Sequence, residues 1–372
     1  MNRPAHRIVY AGQSLREGNG GIARVDRLIA RVLAEMADAG QARVELHMFS
    51  DGGPSEAAAP RIPISYYGGS RLRFSLGVWK ALLRPGFFIY DAAYLAKLHR
   101  PLVGRARRPC LVFIMGIEVW EKATKASIAA CGKADGLVAI SNFTRERARQ
   151  CHGGFTKARV CWLGTEPTAV DSGDAVGAVS KAPVVLVVGR MASNEGYKGH
   201  RELIQAWPEV LRSVPTAVLE FVGKGDLLPE MQRLAETCGV ATQVRFRGFV
   251  SEAELAAAYT QAALFAMPSR GEGFGLVYIE AMRHGLPVVA SVHDAGAEVV
   301  RDGVTGVLAD LQKPGDLAAK VVELLTDPSK AQAMGRAGQR RWREEFTYPA
   351  FKQRFGLILD DFLRGGSGNG GT

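Results

Sequence analysis

A chain of 372 residues, 47% hydrophobic and 23% charged, is long enough to fill two core-bearing domains, and it holds no long low-complexity tract. No apolar run reaches the ~18 residues of a membrane span, and the opening MNRPAHRIVYAG lacks a signal-peptide core, so a cytoplasmic chain is expected. The formal charge of +10 lies wholly in the first half: residues 1–175 carry 25 Lys and Arg against 15 Asp and Glu, the remainder 22 against 22.

A positive excess confined to one half suits an anionic partner, whether a membrane surface, a phosphorylated acceptor or nucleic acid; scattered charges would be only a solvated face. The five cysteines, Cys110, Cys131, Cys151, Cys161 and Cys238, form no CxxC pair and no Cys/His ligand spacing. That pattern predicts reduced core thiols and no metal site.

In chain order, residues 7–12 read as a buried strand, followed by the loop SLREGNGG and a helix with Ile22, Val25, Ile29, Val32, Leu33 and Met36 on one face; Gly40 ends it. Gly20 and Gly21 occupy the strand-to-helix turn, where they either admit a diphosphate or acceptor sugar to the backbone or simply make the turn possible. A strand at 44–50 and a Gly/Pro/Ala-rich loop at 51–63 come next. Then follow a basic and aromatic tract (Tyr66, Tyr67, Arg71, Arg73, Phe74, Trp79, Lys80, Arg84, Phe87, Phe88, Tyr90) and a cluster of Lys97, Arg100, Arg105, Arg107 and Arg108. This composition suits peripheral contact with anionic lipid, and equally a core helix with solvated basic side chains. Strands at 110–115, 136–140 and 159–163 complete the half, with Ser141 as the N-cap of a helix carrying Arg145 and Arg147. His152 reads as a structural side chain at a helix end. Residues 164–183 have linker composition, which divides a first domain (1–170) and a linker (171–183) from a second domain (184–346).

The second half restarts with the aliphatic strand 184–188 and a loop bracketed by Arg190 and Lys198, ahead of a helix with Leu203, Ile204 and Trp207 inside. Two cations around a strand-to-helix loop can hold a diphosphate and neutralise it as it leaves, or they are incidental surface charges. Strands at 217–222 and 244–249 follow; Gly223-x-Gly225 lacks the third glycine of a dinucleotide fingerprint. Residues 268–290, PSRGEGFGLVYIEAMRHGLPVVA, then place Glu272 and Glu280 around a glycine-rich turn that opens into a helix. Leu276, Ile279, Met282 and Arg283 recur at helical spacing, Gly285 suits a left-handed cap, and Pro287 stops the helix, which gives a helix over 275–284 between strands 263–267 and 287–291. Such a loop lies at the carboxyl end of a parallel strand, where open α/β sheets bind ligands; backbone N–H groups take phosphates and carboxylates take hydroxyls. Residues 295–298 repeat a small-residue helix start and 303–308 form a strand. Helices follow at 314–326, 328–346 and 347–364, the last expected to pack back toward the first domain, and the tail 365–372 is expected to be disordered.

Taken together, GG at Gly20 and Gly21, SNFT at Ser141, GR…KG at Gly189–Gly199, VGKG at Gly223, RGFV at Arg247, PSRGEGFGLVYIEAM at Pro268 and DGVTGVL at Asp302 resemble the retaining glycosyltransferases of family 4. The resemblance implies an α/β GT-B fold, two Rossmann-like domains with parallel sheets facing across a cleft. It implies that Arg190 and Lys198 hold the donor diphosphate, that Glu280 takes the ribose hydroxyls, and that Glu272 with Gly273, Phe274, Gly275 and Leu276 holds the sugar and phosphates. Gly223 and the turn at Phe249 and Val250 fall on the nucleotide side, while Gly20 and Gly21 close over the diphosphate. Where many members have a His followed by Gly, x and an acid, this chain has Met115, Gly116, Ile117 and Glu118; a methionine can neither bind a sugar hydroxyl nor act as a base. Acceptor chemistry therefore moves to Glu118 or a backbone carbonyl, or has been adapted.

The expected activity is a retaining, metal-independent glycosyltransferase of cell-envelope or polysaccharide biosynthesis. Its donor is a nucleotide-diphosphate sugar and its acceptor a glycan or lipid-linked molecule, with a soluble small-molecule acceptor as the alternative. No cofactor is expected, and no DxD occurs in the chain. The basic first domain is expected to meet an anionic membrane surface, which makes the protein peripheral at the inner face. A dinucleotide-dependent oxidoreductase would need GxGxxG with a later acid, and a nucleic-acid binder leaves Glu272 and Glu280 unexplained.

Overall fold

Short aliphatic runs, most of them ended by glycine or a polar loop and followed by a helix, build two sheets in which every strand pair is parallel. The computed structural model describes residues 6–18, 20–53, 62–100, 107–168 and 182–366. Arg105, most of the loop at 51–63, most of the linker at 171–183, and residues 367–372 of the tail lie outside the described residues. The chain divides into one unit of Met1–Glu166 with Tyr348–Thr372 and a second of Pro167–Thr347.

The first unit contains β1 (His6–Gly12), α1 (Gly20–Asp38), β2 (Ala42–Met48), β3 (Ile64–Tyr66), α2 (Arg71–Leu82), β4 (Phe87–Tyr90), α3 (Ala93–Ala96), β5 (Cys110–Ile114), α4 (Lys125–Gly132), β6 (Gly136–Ala139), α5 (Asn142–His152) and β7 (Arg159–Val160). The strand order is β3-β2-β1-β4-β5-β6-β7, so the chain steps outward from β1 on one side and then resumes at β4 on the other. Phe87 to Tyr90, read with the basic aromatic tract, is a strand beside β1, and Phe88 and Tyr90 are fully buried; those rings belong to the core. Phe74 is buried as well, edge-on to Phe49 and Tyr67. Ile22 is exposed, and Asp26 instead lies within the buried side of α1. All five cysteines are free thiols, with Cys110, Cys131 and Cys161 buried.

The second unit contains β8 (Val184–Val188), α6 (His200–Ser213), β9 (Val218–Val222), α7 (Leu228–Thr237), β10 (Val244–Gly248), α8 (Glu252–Gln261), β11 (Leu264–Ala266), α9 (Leu276–Arg283), β12 (Val288–Ser291), α10 (Gly296–Val299), β13 (Gly306–Ala309), α11 (Asp316–Thr326) and α12 (Pro328–Glu345). Its order, β10-β9-β8-β11-β12-β13, reverses direction between β8 and β11. A core of Val185, Val187, Trp207, Leu219, Phe221 and Leu264 fills the space between sheet and helices.

The last helix, α13 (Tyr348–Gly366), belongs to the first unit and includes Gly365 and Gly366, the first residues of the expected tail. Phe355 is fully buried, 5.4 Å from Phe113 and stacked on Phe351 at 5.8 Å. Arg354 donates to the Trp162 carbonyl at 3.0 Å, and Lys352 pairs with Glu35 at 2.6 Å. The exposed ion pair adds little, so the rings carry the attachment. Replacing Phe355 by Ala should cost about 3–5 kcal/mol in denaturant unfolding of the full chain, whereas Lys352→Ala should cost under ~1 kcal/mol. Equal costs would contradict this division.

Candidate active site

Ligands of open α/β sheets bind beyond the carboxyl ends of the strands where the order reverses, because the loops there diverge and leave a crevice. In the second unit those are the loops after β8 and β11, and they carry the residues picked from the sequence. Lys198 ends a 3-10 turn at Ser193–Lys198. Its Nζ lies 2.9 Å from Glu272 Oε1, in the β11–α9 loop, and 3.5 Å from Glu195 Oε2. Arg190 at the end of β8 pairs with the other oxygen of Glu195 and is itself largely exposed. Burial alone would depress the Lys198 pKa, but the Glu272 carboxylate, with Tyr197 and Glu195, outweighs it and holds the ammonium charged above its usual range. His200, buried one turn further on, is kept neutral by burial and by Lys198, its pKa lowered to about 4.

The β11–α9 loop is held by a chain of polar contacts. Ser269 Oγ accepts from the Gly271 N–H at 3.1 Å, and Ser291 donates to the Ser269 carbonyl. Asp294, 1% exposed, accepts from the N–H of Glu272 at 2.8 Å and of Gly296 at 2.9 Å, joining this loop to the one after β12. Gly275 opens α9 at φ 85°, and a Cβ there would fall 2.3 Å from the Tyr278 ring, so glycine is required both by conformation and by contact. Tyr278 in turn donates to the Met267 carbonyl at 2.8 Å, tying the helix start to the end of β11. The first N–H groups of a helix lack carbonyl partners one turn back, and α9 starts four residues after Glu272, which pairs with Lys198.

The other candidates fall into distinct environments. Glu280, on the fifth residue of α9, accepts from Tyr259 at 3.1 Å. The Phe274 ring is buried edge-on to Phe346 at 5.9 Å, so only its backbone remains for a ligand; Leu276 is half-buried at the first turn. Gly223 ends β9 at φ 146°, and a Cβ would come within 2.0 Å of the Gly189 carbonyl oxygen; bare backbone lets the β8 and β9 loops pack together. At the end of β10, Phe249 is 66% exposed under the Lys224 ammonium at 5.0 Å, and Val250 beside it is half-buried.

The first unit has its own reversal, between β1 and β4. Gly20, at φ 84°, begins α1, with Gly21 exposed beside it. The loop leading to them hangs on three buried aspartates. The Gln13 N–H is shared between Asp26 at 2.9 Å and Asp91 at 2.8 Å, the Ser14 N–H goes to Asp26 at 2.8 Å, and the Leu15 N–H goes to Asp51 at 2.7 Å. Tyr10 also donates to Asp26, at 2.6 Å. Burial, and then the charge of its neighbour Asp26, push Asp91 well above the carboxylate range. Met115 follows β5, and Glu118 turns back to accept from its N–H at 2.5 Å. Burial raises the Glu118 pKa against the pull of the Met115, Glu118 and Gly116 N–H groups. His152 Nε2 donates to the Trp120 carbonyl, 2.9 Å away, and has a structural partner there.

Sequence reasoning missed Glu195, Asp294 and the Asp26, Asp51 and Asp91 group. Asp26 was findable, as an acid on the apolar stripe of α1; the others are joined only through long-range packing. Among the described residues no group of His, Cys, Asp or Glu is arranged to hold a metal ion.

A family model described as Glycosyl transferases group 1 matches residues 182–327. The chain is 41% identical over 167 residues to a GDP-mannose-dependent alpha-(1-6)-phosphatidylinositol monomannoside mannosyltransferase of Mycolicibacterium smegmatis, a match covering 43% of each chain. It is 30% identical over 294 residues to the phosphatidyl-myo-inositol mannosyltransferase of Mycobacterium leprae, covering 72% of this chain and 74% of that one. Against the first of these, and against its Mycobacterium tuberculosis counterpart, the match spans under half of the relative's length, 43% and 49%. Among solved structures, Anabaena Alr3699/HepE in complex with UDP and glucose matches at TM-score 0.76 and 19% identity, over 96% of this chain and 100% of that one. A sucrose-phosphate synthase from Thermosynechococcus elongatus matches at TM-score 0.76 and 21% identity, over 97% and 100%. Both share the GT-B fold expected from the sequence.

Asp294 gives a test of the loop geometry. Burial raises its pKa from 3.8 to about 7 despite two N–H donors, so between those values the folded chain binds a proton that the unfolded chain has lost. The stability this confers is complete at low pH and is lost as pH rises through that window. In denaturant melts the wild type should therefore lose stability relative to Asp294→Asn over the same range, and parallel pH profiles would contradict the assignment. Relatedness over three quarters of a curated relative, with two parallel Rossmann-like sheets and the motifs at their switch points, places this chain in the glycosyl transferases group 1 family.

Proposed function

We propose that the chain transfers a sugar, with retention, from a nucleoside-diphosphate donor to a lipid-linked acceptor in cell-envelope or polysaccharide synthesis. The observation that carries this reading is the Lys198 ammonium held between Glu195 and Glu272, the latter in the loop that leads into α9. A departing diphosphate gains negative charge as the bond between the anomeric carbon and its phosphate oxygen breaks. The Lys198 ammonium, the Arg190 guanidinium and a helix N-terminus stabilise that charge. When the donor enters, Lys198 turns to the diphosphate and Glu272 to the sugar hydroxyls, while Glu280 takes the ribose. The acceptor oxygen attacks from the face the leaving group vacates, its proton passing to the leaving phosphate oxygen, so the configuration is retained.

The lipid-linked acceptor is supported by relatives named for mannosyl transfer to phosphatidylinositol species, and the nucleotide by the UDP in the Anabaena structure. We further propose that Arg190 and Lys198 serve where a divalent metal would otherwise stand, that no cofactor takes part, and that the protein works peripherally on the cytoplasmic side of a membrane. In the first unit, the bare backbone at Gly20 and Gly21 suits a phosphate, and the backbone around Met115, buttressed by Glu118, suits a sugar hydroxyl.

Four measurements test the reading. In a thermal-shift panel of UDP-, GDP- and ADP-sugars, one donor at about 100 times its Kd should add roughly 2.7 kcal/mol of stability. No shift with any of them, or with the free nucleotides, would remove the donor site. With that donor, Glu280→Ala should raise its Kd about tenfold or more, whereas Lys198→Ala should chiefly lower kcat, by about 100-fold or more, because the lysine acts on charge that grows in the transition state. Turnover should be insensitive to EDTA, and the anomeric configuration of the product, read by NMR, should match that of the donor.

A further inference from the structure

The loop after β8 carries an acid that meets both of its cations. Glu195 interrupts the 3-10 turn Ser193–Lys198 with a backbone at φ −120° and ψ 21°. One of its carboxylate oxygens pairs with Arg190 and the other lies 3.5 Å from Lys198 Nζ, so both oxygens are taken. The Glu195 side chain is 9% exposed, against 63% for Arg190. Among the described residues Arg190 has no other ion pair, so this contact alone holds a long, exposed side chain beside the lysine. The backbone beneath is fixed independently. The Met191 N–H donates to the Lys224 carbonyl at 2.9 Å, and the Ser193 N–H to Asp226 at 2.8 Å. Glu195 therefore reaches both cations from a loop that is itself tied down.

Glu272 stands differently toward the same lysine. It meets Lys198 through Oε1 at 2.9 Å, and among the described residues its Oε2 has no hydrogen-bond partner. An anion that draws on the lysine lets Glu272 go to a hydroxyl, for which it already has an oxygen to spare. Glu195 has none to spare. Buried and stripped of both cations, it would be left as an uncompensated charge, which is strongly unfavourable. An ammonium and a guanidinium each carry several protons, so both cations can serve an anion without leaving Glu195.

We propose that Glu195 is a positioning residue for the transfer: it tethers Arg190 and Lys198 side by side while Glu272 exchanges partners, so that both cations reach the departing diphosphate together. Charge that grows in a transition state is best met by cations whose placement is set beforehand. Glu195 touches neither the donor nor the reacting atoms and acts only through the two cations. The inference rests on the donor site proposed above and names the residue that organises it.

The test measures donor Kd and kcat on the full chain, using the UDP-, GDP- or ADP-sugar that gives the thermal shift and following nucleoside-diphosphate release with phosphatidylinositol micelles or water as acceptor. Glu195→Gln should lower kcat at least about tenfold while donor Kd changes less than about threefold, because losing a negative charge favours the anion and loosening the cations disfavours it. Glu195→Asp keeps the charge but is a methylene too short to span both cations, so its kcat should lie between the two, at least about threefold below the wild type. In a Lys198→Ala background the cost of Glu195→Gln should shrink to less than about threefold, since a residue acting through the lysine has little left to act on. Wild-type turnover in either Glu195 variant, or an undiminished loss in the Lys198→Ala background, would overturn the proposal. So would a donor Kd raised about tenfold with kcat unchanged, or a lower melting temperature with normal kcat per folded molecule. If Glu195→Gln does not fold, Glu195→Asp decides. No donor shift or no diphosphate release by the wild type would remove the transfer reading and this inference with it; a wild type that binds and turns over beside an indifferent Glu195→Gln removes the inference alone.

Discussion

A lysine ammonium held against two carboxylates, at the point where the second sheet reverses its strand order, sets the geometry of the loops around it. Lys198 arrives from the loop after β8 and Glu272 from the loop after β11, so their pairing joins two segments that diverge by topology. Removing three charged groups from water is costly, and the arrangement survives because each has an opposite partner in reach. The same group is poised for change. An anion entering beside the lysine offers it a new partner and frees a carboxylate for hydroxyls, so the contact that orders these loops is the one a donor would exchange.

Both units solve the loop problem in the same way. A strand-to-helix turn that must present bare backbone has few side chains of its own to hold it, and buried aspartates take its N–H groups instead. Asp294 does this beside Glu272; Asp26, Asp51 and Asp91 do it ahead of Gly20. Burying a carboxylate is unfavourable unless hydrogen bonds compensate, and raised proton affinity is the residue of that conflict. Rigidity at these turns therefore comes from polar contacts under the loop. The apolar cores supply the platform.

Much of this was legible in the sequence where local physics decides. Val184–Val188 can only be a buried strand, and Gly275, Gly285 and Pro287 bound α9 by backbone conformation alone. Lys198 and Glu272 could be named from their loops, although nothing local says that they touch across 74 positions. Phe87–Tyr90 was hidden because a central strand, apolar on both faces, looks like any aromatic run. In α2 two apolar faces, one inside and one outside, blur the single stripe by which an amphipathic helix is recognised, and only the fold assigns each face. In the sequence Glu118 is one of the alternatives for the acceptor role, and only the turn at Gly116 shows its carboxylate occupied by backbone.

The central claim is that the carboxyl ends of β8 and β11 form a diphosphate site built from Lys198, Arg190 and the start of α9. A crystal structure of the chain grown with a saturating nucleoside diphosphate tests it most directly. The account predicts the diphosphate against the first-turn N–H groups of α9, within hydrogen-bonding distance of Lys198 and Arg190, with Lys198 drawn away from Glu272 and the ribose on Glu280. A nucleotide bound elsewhere, with the Lys198–Glu272 pair intact, would contradict it.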